Sequence, residues 1–258
     1  MKTMNLKRLT VDNLEVMIAE SRAEMGLLAA FDAAAELRSL LQRKDEVNVI
    51  FAAAPSQNET LAALAAADGI DWSRVNAFHM DEYIGLAKDA PQRFGNFLYK
   101  HFFKLVPLKS VNYLSPDAKD PEKTCREYSA LLEKYPANLI LMGIGENGHI
   151  AFNDPPVADF NDDKLVKIVE LDPVCRNQQV NDGCFATIDE VPTHALTLTI
   201  PVFRRAGRLI CSVPAATKAD AVWHTINNEK CDETCPATVM RMHPNATLYL
   251  DPASAAKL

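Results

Sequence analysis

Short apolar segments alternate with helical segments along most of the chain, and this alternation limits the folds that it can adopt. Strands are predicted at residues 47–53, 75–80, 138–143, 195–200, 208–213 and 246–250, and the strand at 195–200 has the Thr/apolar alternation of a half-buried strand. Helices are predicted at residues 11–44, 59–67, 93–103, 122–134 and 215–227. This order predicts a three-layer, Rossmann-like α/β fold, in which a mostly parallel sheet carries helices on both faces.

The sequence contains no internal repeat, low-complexity tract or Gly/Ser-rich linker, so we expect residues 1–258 to form a single domain. No stretch approaches the roughly 20 apolar residues that cross a bilayer, and residues 1–8 lead into acidic residues without the apolar core of a signal peptide. We therefore expect a cytoplasmic protein that does not bind membranes. A formal charge of −7 repels phosphate backbones, which argues against nucleic acid as a partner.

Six cysteines, all at or after residue 125, are too few for a disulfide scaffold. Cys231 and Cys235 form a C-x3-C pair, and His243 follows them. A structural zinc site needs a second close pair of ligands, and the sequence shows none. We therefore predict that the protein holds no metal.

Two loops that follow predicted strands are candidates for binding an anion, because ligands of open α/β sheets bind beyond the carboxyl ends of the strands. Ser56 and Asn58 are N-cap candidates after the first such strand, where free N–H groups can hold an anion. Thr217 and Lys218 begin a predicted helix, so the ammonium group stands beside similar N–H groups. The alternatives are an ordinary helix cap and a solvated surface lysine.

Two further loops carry groups that can transfer protons. Asp81 and Glu82 directly follow an apolar strand, where one carboxylate can point into the cleft and act as a base while the other turns away. The alternative is a solvated acidic loop. His149 lies in a glycine-rich loop with Asn147 and Asp154 close by, and either side chain can fix its tautomer. The loop does not fit the dinucleotide pattern G-x-G-x-x-G, which argues against a nucleotide cofactor.

Two motifs, Met-Asp-Glu-Tyr-Ile-Gly-Leu at 80–86 and Gly-Glu-Asn-Gly-His-Ile-Ala-Phe-Asn-Asp-Pro at 145–155, resemble the glucosamine-6-phosphate deaminase/isomerase family. This family shares a superfamily with the 6-phosphogluconolactonases, and the resemblance extends over about residues 47–251. The lactonase branch also has a Gly-x-x-Gly-His turn. It lacks the Phe-Asn-acid-Pro continuation and the Asp-Glu-Tyr strand end, so the deaminase branch is favoured.

The resemblance implies roles for four catalytic residues. Asp81 matches the general base that moves a proton between C1 and C2 of the open-chain sugar, and His149 matches the histidine that assists ring opening. Asn147 and Asp154 match its two supporting positions. The implied reaction converts glucosamine 6-phosphate into fructose 6-phosphate and ammonia, without a metal or organic cofactor. The implied partner is a small sugar phosphate, and family members occur as monomers or hexamers, so a homo-oligomer is possible.

The resemblance also implies a set of substrate- and phosphate-binding residues, namely Ala53, Ala54, Ser56, Glu82, Arg176 and Lys218. This end of the site departs from the family pattern, because Ala52-Ala53-Ala54-Pro55 stands where the family usually has Gly-Gly-Thr-Pro. A phosphate-binding arginine of the family falls near Gln179, and Arg176 can replace it if the segment is helical. Asp154 replaces a glutamate, and Asn147 replaces an aspartate found in many members.

Three functions remain open on the sequence alone. The first is an isomerising deaminase of an amino-sugar phosphate, and the sequence does not separate glucosamine from galactosamine. The second is a related sugar-phosphate lactonase or isomerase, for which Asp81 would have no role as a C2 base. The third is a non-catalytic sugar-phosphate sensor, which would not need two proton-transfer groups.

Overall fold

A computed structural model describes residues 6–116 and 118–258 of the chain. The N-terminal segment at residues 1–8, for which the sequence predicts no signal peptide, lies partly outside the described residues, because these exclude residues 1–5. The strands are β1 (Lys7–Val11), β2 (Leu14–Ile18), β3 (Val47–Phe51), β4 (Val75–His79), β5 (Asp81–Tyr83), β6 (Ser110–Asn112), β7 (Leu139–Met142), β8 (Val166–Glu170), β9 (His194–Leu198), β10 (Leu209–Val213) and β11 (Ala246–Leu250). The α-helices are α1 (Arg22–Arg43), α2 (Asn58–Ala65), α3 (Phe94–Leu98), α4 (Pro121–Lys134), α5 (Pro173–Asn181), α6 (Ile200–Arg205), α7 (Ala219–Asn227) and α8 (Val239–Met242). Within the described ranges, no helix is both long and apolar enough to span a bilayer.

Eight strands form one sheet in the order β1-β2-β11-β10-β7-β3-β4-β6. Only the β1–β2 pair is antiparallel, and every other neighbouring pair in this sheet is parallel. The central strands β10, β7, β3 and β4 therefore end at the same edge. The mostly parallel sheet predicted from the sequence is confirmed.

Helices cover both faces of this sheet, and the central strands alternate between two hydrophobic cores. In β3, Val49 and Phe51 pack into the core shared with α1 and α2, whereas Ile50 packs into the core shared with α4 and α7. Both faces are buried, so these strands read as continuous apolar runs without polar alternation. The predicted three-layer α/β arrangement is confirmed.

The prediction of a helix at 11–44 is wrong at its beginning. Residues 7–18 form the β1–β2 hairpin, with Asp12 in its turn at φ 50°, and α1 begins only after the N-cap residue Ser21. Leu14 and Val16 are fully buried while Glu15 between them is exposed. This period-two pattern indicates a strand, but the helix-favouring residues that follow obscure it.

The strand predicted at 195–200 does not join the large sheet. It corresponds to β9, which pairs antiparallel with β5 and β8 in a separate three-stranded sheet. Ala195–Leu198 is buried on both faces, so the half-buried interpretation is wrong, and Ile200 already belongs to α6. The hydroxyl of Thr197 can be buried in this strand because it accepts a hydrogen bond from the N–H of Phe152.

Gly26 allows α1 and α2 to pack with their backbones in close contact. A Cβ atom at Gly26 would lie 2.4 Å from the Cβ of Glu59 and 2.9 Å from its carbonyl carbon. Real Cβ atoms do not approach backbone this closely, so a side chain here would push the two helices apart. A glycine that weakens helix propensity is therefore required by packing.

Substitution Gly26→Ala tests this contact. At an exposed helix position the change gains about 1 kcal/mol from helix propensity, but here we expect a loss of about 1–3 kcal/mol from overpacking. Urea unfolding measures the difference. The control Ala35→Gly, on the exposed side of α1, should lose only about 1 kcal/mol, and a stabilised Gly26→Ala variant would contradict the packing argument.

Candidate active site

A pocket lies at the carboxyl ends of β3, β4, β7 and β10, where the alternation of strands and helices predicts a ligand site. Each of these strands contributes residues to its wall through the loop that follows it. The predicted site residues that line it are Ala53, Ala54, Ser56, Asp81, His149 and Lys218. Asn147, Asp154, Glu82 and Arg176 lie outside the lining.

Asp81 is a buried carboxylate that faces the pocket. No described residue donates a hydrogen bond to its side chain, although the residue is only 7% exposed. Burial, with the neighbouring charge of Glu82, raises the pKa of Asp81 well above its ordinary value. A carboxylate that lacks both water and hydrogen-bond donors is a stronger proton acceptor than a solvated one.

His79 holds the backbone of Asp81 in place. Its Nδ1 lies 3.0 Å from the carbonyl oxygen of Asp81, and its Nε2 accepts a hydrogen bond from the N–H of Leu114 at 2.9 Å. Since Nε2 accepts, Nδ1 must carry the proton and donate it to Asp81. Burial lowers the pKa of His79 to about 4, which keeps this neutral tautomer at physiological pH.

Glu82 turns away from the pocket, as expected of a residue next to Asp81 on an extended strand. Its fully buried carboxylate accepts hydrogen bonds from the N–H groups of Tyr83, Phe94 and Gly95, and Nε of Arg93 lies 3.6 Å away. Glu82 therefore caps the first turn of α3, and the structure does not support its prediction as a substrate-binding residue.

His149 is held through Nδ1. The Oδ1 atoms of Asn147 and Asp154 both lie 2.8 Å from it, and Nδ2 of Asn147 donates to the same oxygen of Asp154 at 2.8 Å. Both neighbours accept, so Nδ1 carries the proton and Nε2 is left for the pocket. The three residues that the sequence motif places within eight positions thus form one hydrogen-bonded group.

Gly145 makes room for this imidazole ring. A Cβ atom at Gly145 would lie 2.1 Å from Cε1 and 2.3 Å from Nε2 of His149, so any side chain would occupy the place of the ring. Gly148 adopts φ +83°, and a Cβ atom there would lie 2.8 Å from Sγ of Cys235. The glycines of the motif are therefore needed to place His149, independently of any nucleotide.

Cys175 adds a thiol to the His149–Asp154 pair. Its Sγ and the side-chain atoms of His149 and Asp154 all lie within 4.8 Å of one another. Burial raises the pKa of Asp154, but the facing His149 and Asn147 outweigh this and leave it below its ordinary value. Burial and the charge of Asp154 raise the pKa of the Cys175 thiol well above its ordinary value, so it stays protonated beside the carboxylate.

Lys218 makes the pocket suited to an anion. Lys218 is 4% exposed, and its Nζ has no hydrogen-bond partner among the described residues. Burial lowers the pKa of Lys218, while the charges of Asp182 and Glu146 act in the opposite direction. A buried ammonium group without a partner needs an anion. Ser56 also lines the pocket, and its hydroxyl accepts a hydrogen bond from Nε2 of Gln57 at 3.2 Å.

Arg176 does not line the pocket. Its Nη2 donates to the carbonyl oxygens of Ile188 at 2.6 Å and Val191 at 2.8 Å, which ties α5 to the segment behind it. The prediction that Arg176 replaces the family arginine is therefore not supported. Gln178 and Gln179, on the same helix, line the pocket instead.

Several lining residues are not indicated by the sequence, and most of them come from parts of the chain distant from the motifs at 80–86 and 145–155. They are Arg22, Gln57, Phe94, Phe152, Gln178, Gln179, Asp182 and Cys184. Gln57 lies in the loop after β3 and Phe152 lies within the motif at 145–155, but neither residue type marks a binding residue there. The others lie on or just after α1, α3 and α5, and the packing of these helices brings them to the pocket.

Ala215 provides a first test of the pocket wall. It adopts φ 85° and ψ 147°, a conformation that favours glycine, and its N–H donates to both carboxylate oxygens of Asp251 at 3.2 Å. Such strain costs about 1–3 kcal/mol, so Ala215→Gly should raise the free energy of unfolding measured in urea. The control Ala216→Gly, in the helical turn Ala216–Lys218, should lower it; equal losses would refute the strain.

Asp81→Asn tests the burial of the carboxylate. The folded pKa of Asp81 is raised, so this carboxyl makes the fold progressively less stable as the pH rises from the unfolded pKa of about 3.9 to the folded pKa, and it has no effect below the unfolded pKa. We therefore expect the variant to melt at a higher temperature than the wild type at pH 7, with the difference vanishing near pH 4. Thermal melts across this range measure it. Exposed Asp163→Asn is the control, and a lower melting temperature at pH 7 would contradict the prediction.

Known proteins resemble the chain over most of its length. A family model described as glucosamine-6-phosphate isomerases/6-phosphogluconolactonase matches residues 20–249. A glucosamine-6-phosphate deaminase of Exiguobacterium sp. is 36% identical over 190 residues, which cover 74% of this chain and 72% of that protein. Another from Corynebacterium glutamicum is 30% identical over 248 residues, which cover 95% and 94%.

Solved structures agree with this assignment. A monomeric glucosamine-6-phosphate deaminase matches with a TM-score of 0.84 at 25% identity, over 93% of this chain and 98% of that chain. A 6-phosphogluconolactonase from Thermotoga maritima shares the fold, with a TM-score of 0.72 at 18% identity over 92% and 98%. The resemblance inferred from the motifs at 80–86 and 145–155 is confirmed, and the chain belongs to the family of glucosamine-6-phosphate isomerases and 6-phosphogluconolactonases.

Proposed function

We propose that the protein converts glucosamine 6-phosphate into fructose 6-phosphate and ammonia. The observation that carries this proposal is the unpartnered, buried carboxylate of Asp81, which lines the same pocket as His149 and Lys218. A base of raised pKa and an oriented imidazole can transfer the protons of a sugar isomerisation, and a buried cation can hold the phosphate. The relatives named above as glucosamine-6-phosphate deaminases support the choice of substrate.

In this proposal His149 opens the sugar ring. Nε2 accepts the proton of the anomeric hydroxyl and delivers a proton to the ring oxygen, which gives the open-chain aldehyde. Asn147 and Asp154 keep the proton on Nδ1, so that Nε2 is available as the acceptor. The resulting imidazolium is stabilised by the carboxylate of Asp154.

Asp81 then moves a proton from C2 to C1. Its carboxylate takes the C2 proton, and the electron pair forms a C1–C2 double bond as the aldehyde oxygen takes a proton from the 2-ammonium group of the substrate. Return of the proton from Asp81 to C1 leaves a protonated imine at C2. Addition of water to C2 and departure of ammonia complete fructose 6-phosphate. These steps are proton transfers, hydration and loss of an amine, so they require no oxidant or reductant.

We further propose that the 6-phosphate lies against Lys218, Ser56 and the backbone of Ala53 and Ala54. Glu82 and Arg176 are left out of the binding set, because both are committed to backbone groups elsewhere. Residues 1–258 would act as one domain on this small-molecule partner, with or without assembly into a homo-oligomer, and a cytoplasmic location remains a prediction.

Kinetics of three proteins test the proposal: wild type, Asp81→Asn and His149→Gln. We expect wild type to release ammonia and fructose 6-phosphate in equal amounts. Each variant should lose about 10²- to 10⁴-fold in kcat, the usual contribution of a positioned acid or base. The exposed Asp163→Asn variant should retain wild-type kcat.

The outcomes separate the alternative functions. Hydrolysis of a sugar-phosphate lactone that survives Asp81→Asn, without ammonia release, would identify a lactonase. Thermal stabilisation by glucosamine 6-phosphate without turnover would identify a sensor. Ammonia release from galactosamine 6-phosphate and not from glucosamine 6-phosphate would support the proposed chemistry and identify a different substrate.

A further inference from the structure

Arg22 lies at the rim of the pocket, beside the loop that follows β3. It is the first residue of α1, directly after the N-cap Ser21, and it lines the pocket together with Ser56 and Lys218. Its Nε and Nη2 donate to the two carboxylate oxygens of Glu59 at 2.8 and 3.1 Å, and Nη2 also donates to the carbonyl oxygen of Pro55 at 2.7 Å. The guanidinium is thus fixed against the loop by three hydrogen bonds.

The close packing of α1 on α2 brings Arg22 to this position. Gly26 lies one helical turn after Arg22, on the same side of α1, and its contact with Glu59 admits no side chain. Arg22 therefore extends over the first turn of α2, where Glu59 receives it. The arrangement joins an Arg-x3-Gly segment of one helix to a Pro-x3-Glu segment of the other, 29 positions or more away along the chain.

Part of this guanidinium remains available to a ligand. Across the two described ranges, Nη1 of Arg22 has no hydrogen-bond partner, and the side chain is 39% exposed. An arginine held by a fork of hydrogen bonds loses little side-chain freedom when it binds a further acceptor. Arg22 is therefore preorganised to donate to an anion at the rim.

The charge balance of the pocket also favours a second cation. A phosphate ester carries a charge of about −1.5 to −2 at neutral pH, whereas Lys218 supplies a single positive charge. Asp182 also lines the pocket, and its charge opposes that of the ligand. Lys218 alone does not neutralise a dianion there, and Arg22 is the other cationic residue of the lining.

We propose that Arg22 is a substrate-binding residue, which donates through Nη1 to the phosphate group of the sugar phosphate while Lys218 contacts it from the buried side. This inference rests on the proposed function for the identity of the ligand. In this proposal α1 packs in the core and also takes part in substrate binding, because the Gly26 contact brings Arg22 to the pocket.

A purely structural role for Arg22 makes a different prediction, and Glu59 separates the two. If Arg22 only ties α1 to the loop, Arg22→Ala removes this tie and Glu59→Gln weakens it, so both variants should change KM in the same direction. If Arg22 binds the anion, Glu59 competes for it. Glu59→Gln then removes a negative charge near the phosphate and releases the guanidinium.

The experiment compares Arg22→Ala, Arg22→Lys and Glu59→Gln with wild type. For glucosamine 6-phosphate we expect Arg22→Ala to raise KM about 10- to 100-fold, as expected for a lost hydrogen bond between charged groups, with kcat within about threefold. Arg22→Lys should recover part of the loss, and Glu59→Gln should leave KM equal or lower. Arg38→Ala is the matched control, because Arg38 lies on α1 and donates only to the carbonyl of Asp68.

Stabilisation by inorganic phosphate gives a readout that does not depend on turnover. We expect phosphate to raise the melting temperature of wild type, Glu59→Gln and Arg38→Ala, and to have a reduced effect on Arg22→Ala. If wild type shows this effect without turning over glucosamine 6-phosphate, the proposed function fails while Arg22 stands. Parallel losses in Arg22→Ala and Glu59→Gln, an unchanged KM in Arg22→Ala, or no phosphate effect on wild type would each overturn the inference.

Discussion

Parallel hydrogen bonding among β10, β7, β3 and β4 is the constraint on which the site depends. Since these neighbouring strands run in one direction, the loops that follow them must meet at one edge of the sheet. Asp81, His149, Ser56 and Lys218 lie 25 to 162 positions apart along the chain, yet they line one pocket for this reason. Most side chains of these strands are apolar and buried, so the sheet fixes the positions of the loops and the loops carry most of the reactive groups.

Burial of the Asp81 carboxylate opposes the stability of the fold while it favours the proposed role of Asp81 as a base. The carboxylate lies on the three-stranded sheet, where no donor compensates its charge, while the adjacent Glu82 receives three backbone N–H groups. Two neighbouring acids of the same strand thus differ: Glu82 stabilises the start of α3, and Asp81, the proposed base, has no donor within the described ranges. His79 fixes the backbone between the two sheets, so Asp81 is held through its main chain although no described residue donates to its side chain.

The parts of the fold and of the site that the sequence predicts are those that depend on residues close together along the chain. The parallel strands appear as apolar runs, and the group of His149, Asn147 and Asp154 lies within one loop. The β1–β2 hairpin was missed because helix-favouring composition further along outweighed the short alternation at Leu14 and Val16. β5 and β8 were missed because they pair antiparallel with a distant strand, so their short segments carry little local signal.

The groups proposed to act in catalysis and in anion binding differ in the same respect. His149 is oriented by residues two and five positions away, so a motif suffices to identify it. Arg22 reaches the pocket through a helix–helix contact, and neither Gly26 nor Glu59 marks it as a binding residue in the sequence. A loop of three alanines looks poorly suited to a phosphate when it is considered alone. With an arginine fixed over it and a buried lysine facing it, the same loop needs to supply only shape and backbone N–H groups, because the charge comes from elsewhere in the fold.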